Sequence, residues 1–212
     1  MKNKVERYEA AGRVMAETGI RIGLSPIRLN DWASFMAKIA IYDDISEISP
    51  DEYAKPEALL SHLNLDTDDE DLRTHATGLS ESSKYADVTA DLNTHFYFRK
   101  REAIHTIGLM KGLNPDTGRK YPEIWKNLEQ IAVAGTFLDD VMDAREDAQR
   151  LPQFSARELA YSGLLRFVRE RKLIDKPAWA SLIKSSLIHD PKRQFSKPFI
   201  MAESLLSVSI SH

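Results

Sequence analysis

Apolar side chains recur at steps of three and four residues along most of the chain, which is the spacing of one face of an α-helix. The clearest example follows Ser25-Pro26, a serine and a proline of the kind that start a helix. Beyond them the apolar positions fall on one face: Trp32, Phe35, Met36, Ile39 and Ala40. Because Ser49-Pro50 disfavours helical backbone, the pattern predicts a helix between residues 26 and 48.

The same spacing predicts two longer helices, from Ser80 to Leu113 and from Pro122 to about Arg150, with the turn sequence NPDTGRKYP between them. The polar segment DTDDEDLRTHATG, residues 66–78, is predicted to be a loop with a short helix. Ser155 is predicted to cap a further helix. No run of four to eight residues alternates in the manner of a β-strand. We therefore predict an all-α fold, a single domain over residues 1–212 with seven or eight helices.

The composition is that of an ordinary globular protein, with 42% hydrophobic and 29% charged residues. The net charge of −3 and the lack of a basic stripe argue against nucleic acid as a partner. The chain has no cysteine, which excludes disulfides, thiolate catalysis and cysteine-bound zinc. The N-terminal sequence lacks the apolar stretch of a secretory signal, and no apolar run reaches the ~18–20 residues that span a bilayer. We therefore expect a cytoplasmic protein, and peripheral membrane contact and the oligomeric state stay open.

Four aspartates follow an apolar run in TFLDDVMDAREDA, residues 136–148, within the predicted helix from Pro122. At ~100° per residue, Asp139, Asp143 and Asp147 form one stripe and Asp140 lies beside it. Like charges four residues apart destabilise a helix, and the helix dipole disfavours anions near its C-terminal end. A bound cation would offset both effects. Carboxylate oxygens are hard ligands, so the pattern indicates a site for Mg²⁺ or Mn²⁺.

A second acidic cluster has the same layout in FMAKIAIYDDISEI, residues 35–48, where an apolar run leads into acids. Asp43 and Glu47 lie four residues apart on one face, and Asp44 lies beside them. If the two helices lined one cavity from opposite walls, the acids would meet at its mouth above an apolar pocket. That arrangement suits a metal-bridged polyanion with an apolar tail. The alternative is that both clusters are solvated helix faces.

These two motifs resemble the paired aspartate-rich motifs of the class I isoprenoid (terpenoid) synthase superfamily, most closely those of its squalene/phytoene synthase branch. DAREDAQRLPQFSARELAYSGL, residues 143–164, is similar to that branch in its two aspartates, its arginines and its Leu-Pro stretch. YDDISEI resembles the first motif of the same branch. Read from Asp139, the second segment also fits the DDxxDxxxD motif of chain-elongating prenyl synthases. The basic motif of those enzymes and the Asn/Ser/Glu motif of terpene cyclases are absent.

The resemblance implies an isoprenoid-synthase-like helical bundle around a central cavity, in which Mg²⁺ bridges a prenyl diphosphate to both acidic motifs. The implied metal ligands are Asp43, Asp44, Glu47, Asp139, Asp140, Asp143 and Asp147. The implied catalytic residues are Asp43, Asp139, Asp143 and Arg150, and the implied diphosphate contacts are Arg99 and Arg150. Ionisation of the substrate would lead to prenyl transfer or condensation, with cyclisation as the alternative. An apolar wall would shield the carbocation from water, and its candidates are Phe35, Met36, Ile39, Val133 and Phe137.

Other features have simpler explanations. A run of three cations is more typical of a solvated helix face than of a diphosphate contact, and this interpretation is preferred for Arg99, Lys100 and Arg101. Glu102 and His105 form an ExxH pair like those of di-iron bundles, but the chain has no second ExxH, and the other histidines show no metal-ligand spacing. Three tryptophans lie on apolar faces and are predicted to be core: Trp32, Trp125 and Trp179. A non-catalytic all-α binding or scaffold protein is the alternative to an enzyme.

Overall fold

The computed structural model describes residues 2–25, 27–48, 55–190 and Phe199, with only the backbone described at 2, 3 and 43–48. Within these ranges the secondary structure is entirely helical, as predicted, and comprises ten helices rather than seven or eight. The helices are α1 (Lys2–Arg21), α2 (Leu29–Ile48), α3 (Pro56–Leu63), α4 (Glu70–Val88), α5 (Leu92–Lys111), α6 (Pro115–Lys120), α7 (Pro122–Met142), α8 (Ala144–Arg150), α9 (Ala156–Arg171) and α10 (Lys176–His189). None of these helices is both long enough and apolar enough to cross a membrane.

The predicted long helix from Ser80 to Leu113 is wrong, because the chain reverses between α4 and α5. Asp91 stops the helix there, since its side chain accepts a hydrogen bond from the backbone N–H of Thr94 at 2.7 Å and so caps the start of α5. Asp69 caps α4 in the same way, accepting from Leu72 N–H at 3.0 Å. The segment predicted to be mostly loop, residues 66–78, therefore enters α4 at Glu70.

The predicted single helix from Pro122 to Arg150 is wrong, because it is interrupted at one residue, Asp143. Asp143 has φ −96° and ψ 6°, outside the helical range, and separates α7 from α8. Backbone hydrogen bonds nevertheless span the break, from Asp143 N–H to Asp139 O and from Asp147 N–H to Asp143 O, both at 2.9 Å. The predicted helix start at Ser155 is confirmed, and its side chain exchanges hydrogen bonds with Glu158 as a capping box.

Helix α7 lies at the centre of the bundle. It packs against α9 and α5, and it also touches α1, α6 and α10. Helix α1 packs between α2 and α10, and α4 pairs with α5 as an antiparallel hairpin. The predicted core role of the tryptophans is confirmed, because all three are buried: Trp32, Trp125 and Trp179. The indole rings of Trp32 and Trp125 have centroids 5.5 Å apart and join α2 to α7.

Helices α1 and α2 approach so closely at Gly12 that no side chain fits there. A Cβ atom at this position would lie 2.4 Å from the backbone oxygen of Trp32 and 2.8 Å from the Cα of Ala33. Both are backbone atoms of α2, which cannot move aside as the end of a flexible side chain can. The separation of these two helices therefore depends on a glycine at this position.

We expect Gly12→Ala to lower the free energy of unfolding by about 2 kcal/mol or more, because the added methyl group must push the two helices apart. The matched control is Gly118→Ala in α6, where an added Cβ meets nothing within 4 Å. Alanine is the better helix former, so the control should be neutral or stabilising by up to about 1 kcal/mol. Urea unfolding followed by circular dichroism measures both changes, and equal stability of the two variants would contradict the close contact.

Candidate acidic site at the junction of α7 and α8

Two carboxylates of the predicted stripe converge on one arginine of α1. The Nη1 atom of Arg7 lies 3.8 Å from Oδ1 of Asp139 and 3.7 Å from Oδ2 of Asp143. The two aspartates are one helical turn apart, so their side chains emerge on the same side of α7. Their side chains are 43% and 38% exposed, which leaves the pair open to solutes. The structure thus brings Asp139 and Asp143 together around a cationic group.

Two carboxylates share the one positive charge of Arg7, and both the pKa of Asp143 and that of Arg7 are shifted. Burial, together with the neighbouring carboxylates of Asp139 and Asp147, raises the pKa of Asp143 despite the opposing effect of Arg7. Burial disfavours the charged form of Arg7 itself, yet the charges of Asp139, Tyr8 and Asp143 together outweigh that effect and raise the pKa of Arg7. A further cation would stabilise both ionised carboxylates.

Asp140 points away from the stripe and into the protein. Its Oδ1 accepts two hydrogen bonds from Arg99 of α5, from Nε at 3.0 Å and from Nη2 at 2.8 Å. Arg99 also donates to Glu102, so this guanidinium holds two acids between α5 and α7. Burial raises the pKa of Asp140 against the lowering effect of Arg99. The slightly favoured prediction of a solvated face is therefore wrong for Arg99.

One oxygen of Asp140 is left without a hydrogen bond. The side chain is only 3% exposed, and its Oδ2 atom has no partner among the residues that the structure describes. Burial removes the hydration of a carboxylate oxygen, and without a hydrogen-bond partner nothing offsets that free-energy cost. A cation or a hydrogen-bond donor at this oxygen would therefore be favourable.

Asp147, the third aspartate of the predicted stripe, lies in α8 and forms an ion pair with Arg150. Arg150 lies 3.3 Å from Oδ1 of Asp147 and 3.4 Å from Oδ2 of Asp87, near the end of α4. Burial raises the pKa of Asp147, and the charge of Arg150 opposes that rise. The Arg150 side chain is 50% exposed, so it remains accessible to an anion while it links α8 to α4.

The second predicted cluster lies outside the described side chains. Asp43, Asp44 and Glu47 lie in α2, where the structure describes their backbone but not their side chains. The meeting of both motifs across a cavity therefore stays a prediction. Within the described part of the chain, no three acidic or histidine side chains are arranged to hold a metal ion.

The predicted apolar wall is part of the packed core. Phe35, Val133 and Phe137 are buried, and Met36 and Ile39 are partly buried against the core. The ring of Phe137 meets that of Phe96 edge-on, with centroids 5.8 Å apart. A cleft of about 560 Å³ lies elsewhere, between the end of α1 and the starts of α7 and α10, and none of the acidic-site residues lines it. The central cavity stays a prediction.

Two histidines meet across the hairpin of α4 and α5, a contact that the sequence analysis missed. The Nδ1 atoms of His75 and His105 lie 3.2 Å apart, so one ring donates its proton to the other. Each ring lies over a glycine of the opposite helix, His105 over Gly78 and His75 over Gly108. The sequence carries a signal for this, because the spacing His-x-x-Gly occurs in both HATG and HTIG.

Comparisons of the chain with protein-family models, with curated proteins and with solved structures give no match. Membership of the isoprenoid synthase superfamily therefore stays a prediction from the two motifs. Whether the acidic site binds a ligand has to be argued from its own geometry.

We expect Arg99→Met to destabilise the fold by about 3–5 kcal/mol, because it leaves the carboxylate of Asp140 buried without its cation. Adding Asp140→Asn to Arg99→Met removes that charge and should recover at least about 1 kcal/mol of the loss. Chemical unfolding of the two variants and the wild type measures the difference. A double variant that is no more stable than Arg99→Met would show that the pair is not what holds α5 to α7.

Acid should weaken the α4–α5 hairpin. Burial, the neighbouring His75 and the charge of Arg101 lower the pKa of His105 to about 4, and burial and the charge of Lys111 lower the pKa of His75. Between the unfolded value near 6.5 and these lowered values, the unfolded chain binds more protons, so stability falls as the pH falls. We expect the melting temperature of the wild type to drop from pH 7 to pH 4 more than that of a variant with His75→Gln and His105→Gln. Equal drops would contradict the pairing.

Proposed function

We propose that the protein is a Mg²⁺-dependent enzyme of the isoprenoid synthase type, which binds a prenyl diphosphate and ionises it for prenyl transfer or condensation. The observation that carries the proposal is the convergence of Asp139 and Asp143 on one cationic nitrogen. A place where two carboxylate oxygens already share one cation, and where charge is still uncompensated, is chemically suited to Mg²⁺.

Carboxylate oxygens are the ligands that a hard divalent cation prefers, and the described structure brings two of them together, from Asp139 and Asp143. Asp147 of α8 and Asp43, Asp44 and Glu47 of α2 are proposed to complete the set. Bound there, Mg²⁺ would supply the Lewis acidity that makes the diphosphate a leaving group.

The arginines of the site have separate roles in this proposal. Arg7 offsets part of the negative charge of Asp139 and Asp143. Once Mg²⁺ replaces it beside these carboxylates, its guanidinium is close enough to turn toward a phosphate oxygen. Arg150 is half exposed and bound to two carboxylates at 3.3 Å and 3.4 Å, so it can exchange a carboxylate for a diphosphate oxygen. Arg99 positions Asp140 from the buried side and is not proposed to touch the substrate.

A second candidate function is a non-catalytic all-α binding or scaffold protein. The specific observation in its favour is that each described acid of the cluster has an arginine: Arg7 for Asp139 and Asp143, Arg99 for Asp140, and Arg150 for Asp147. Networks of structural ion pairs also perturb pKa values, so those shifts alone do not separate the two functions. Binding of metal and diphosphate does separate them.

We expect MgCl₂ together with inorganic diphosphate to raise the melting temperature of the wild type, whereas diphosphate without the metal should have little effect. A ligand at about 100 times its Kd adds about 2.7 kcal/mol to the free energy of unfolding when it binds only the folded chain. Differential scanning fluorimetry measures the shift for Asp143→Ala beside Glu123→Gln, a control at the opposite end of α7 whose side chain is 82% exposed.

The enzyme proposal requires the shift to disappear in Asp143→Ala and to survive in Glu123→Gln. A wild type that does not respond, or an Asp143→Ala variant that responds like the wild type, would favour the scaffold protein instead. Comparing shifts within each variant removes any effect of the substitution on stability itself.

A further inference from the structure

Helix α9 is apolar on two faces, and only one of them belongs to the core. Leu159, Gly163 and Phe167 are buried against the rest of the protein. On the opposite side Tyr161 is 64% exposed, Leu164 is 41% exposed and Leu165 is 53% exposed. Core packing accounts for the first face and leaves the second without an explanation.

The exposed residues form one patch rather than scattered positions. Tyr161, Leu164 and Leu165 are spaced i, i+3 and i+4, so their side chains are neighbours on one turn of the helix. Single exposed apolar residues are common on protein surfaces, whereas contiguous ones mark sites of interaction. Leu173, just beyond the helix, is 53% exposed as well.

Cationic side chains stand at both ends of this patch. Arg157 lies one turn before Tyr161 on the same side of α9, and Arg169 and Lys172 lie one to two turns after Leu165. All three are exposed. We call the surface formed by Arg157, Tyr161, Leu164, Leu165, Arg169 and Lys172 the outer α9 face.

Of the two acids of α9, Glu170 is buried and paired with Lys100 of α5 at 2.7 Å. Glu158 is an exposed carboxylate in the capping box at the helix start, so it offsets part of the positive charge of this surface. Residues 156–172 contain five cations and two acids, in a chain whose net charge is −3. Residues 156–172 therefore carry a net positive charge, and three of their five cations lie on the outer α9 face.

We propose that the outer α9 face binds the surface of an anionic lipid membrane. An apolar stripe that includes a tyrosine and has basic residues at both ends is what a helix lying in the membrane interface needs. Tyr161, Leu164 and Leu165 enter the region between headgroups and acyl chains, and Arg157, Arg169 and Lys172 contact the lipid phosphates. This inference is independent of the function proposed for the acidic site.

A second copy of the chain fits the outer α9 face less well. If two α9 helices met antiparallel around a two-fold axis, Arg157 of one would lie opposite Arg169 and Lys172 of the other. Like charges facing each other across an interface are destabilising, whereas anionic headgroups neutralise all three cations. Charge complementarity therefore selects the lipid surface.

Co-sedimentation with vesicles tests the proposal without magnesium or diphosphate. We expect the full chain to bind vesicles of phosphatidylcholine with phosphatidylserine, to bind vesicles of phosphatidylcholine alone far less, and to lose binding as salt rises. Replacing Arg157 and Lys172 with glutamine should weaken binding about five-fold for each cation. Replacing Tyr161 and Leu165 with glutamine should weaken it about ten-fold or more.

The matched control replaces two exposed apolar residues of α10 with glutamine, Leu187 and Ile188, which are 52% and 54% exposed. This control should bind vesicles like the wild type. No binding of the wild type to anionic vesicles at low salt would overturn the proposal, and so would equal binding by the variant at Tyr161 and Leu165. Sedimentation velocity adds a third test, because a dimer that the same variant dissociates would assign the face to a second copy.

Discussion

The buried ion pair between Arg99 and Asp140 sets the rotation of the central helix. Because Asp140 is 3% exposed and held by two hydrogen bonds from α5, α7 cannot turn about its axis without separating them. Asp139 precedes Asp140 by ~100° around the helix, and Asp143 lies four residues after Asp139, so these two share the face next to the one that holds Asp140. There they meet Arg7 of α1. The position of the candidate site therefore follows from a contact inside the core.

The helical periodicity of the sequence was enough to predict the fold class, the buried tryptophans and the capped start of α9. It could not predict the breaks at Asp91 and Asp143, because apolar spacing continues across both and the interruption comes from single side chains and backbone angles. A period of 3.6 residues describes which face a helix presents, and it carries no information about a turn in the chain path. The antiparallel pairing of α4 with α5 could not be predicted for the same reason.

The candidate site was predictable in part. Spacing alone placed Asp139 and Asp143 together, since residues four apart in a helix must share a face. Spacing did not show that Asp140 would turn inward, because its partner Arg99 lies 41 positions earlier in the chain and on another helix. The same limit applies to His75 and His105, which are 30 positions apart and meet only after the hairpin has formed. Charges and rings that belong to separate helices find each other through packing, which a one-dimensional pattern does not encode.

The break at Asp143 lies within the acidic stripe and separates Asp139 from Asp147. One residue with non-helical backbone angles connects α7, which is fixed in the core, to the short helix α8. A rotation about φ or ψ of Asp143 would change the distance from Asp139 to Asp147 and carry Arg150 with it, while each helix keeps its own internal hydrogen bonds. Such a rotation would also move Ala144 and Leu151, which are buried in the core, so the spacing of these carboxylates depends on the packing of α8 as well as on two backbone angles.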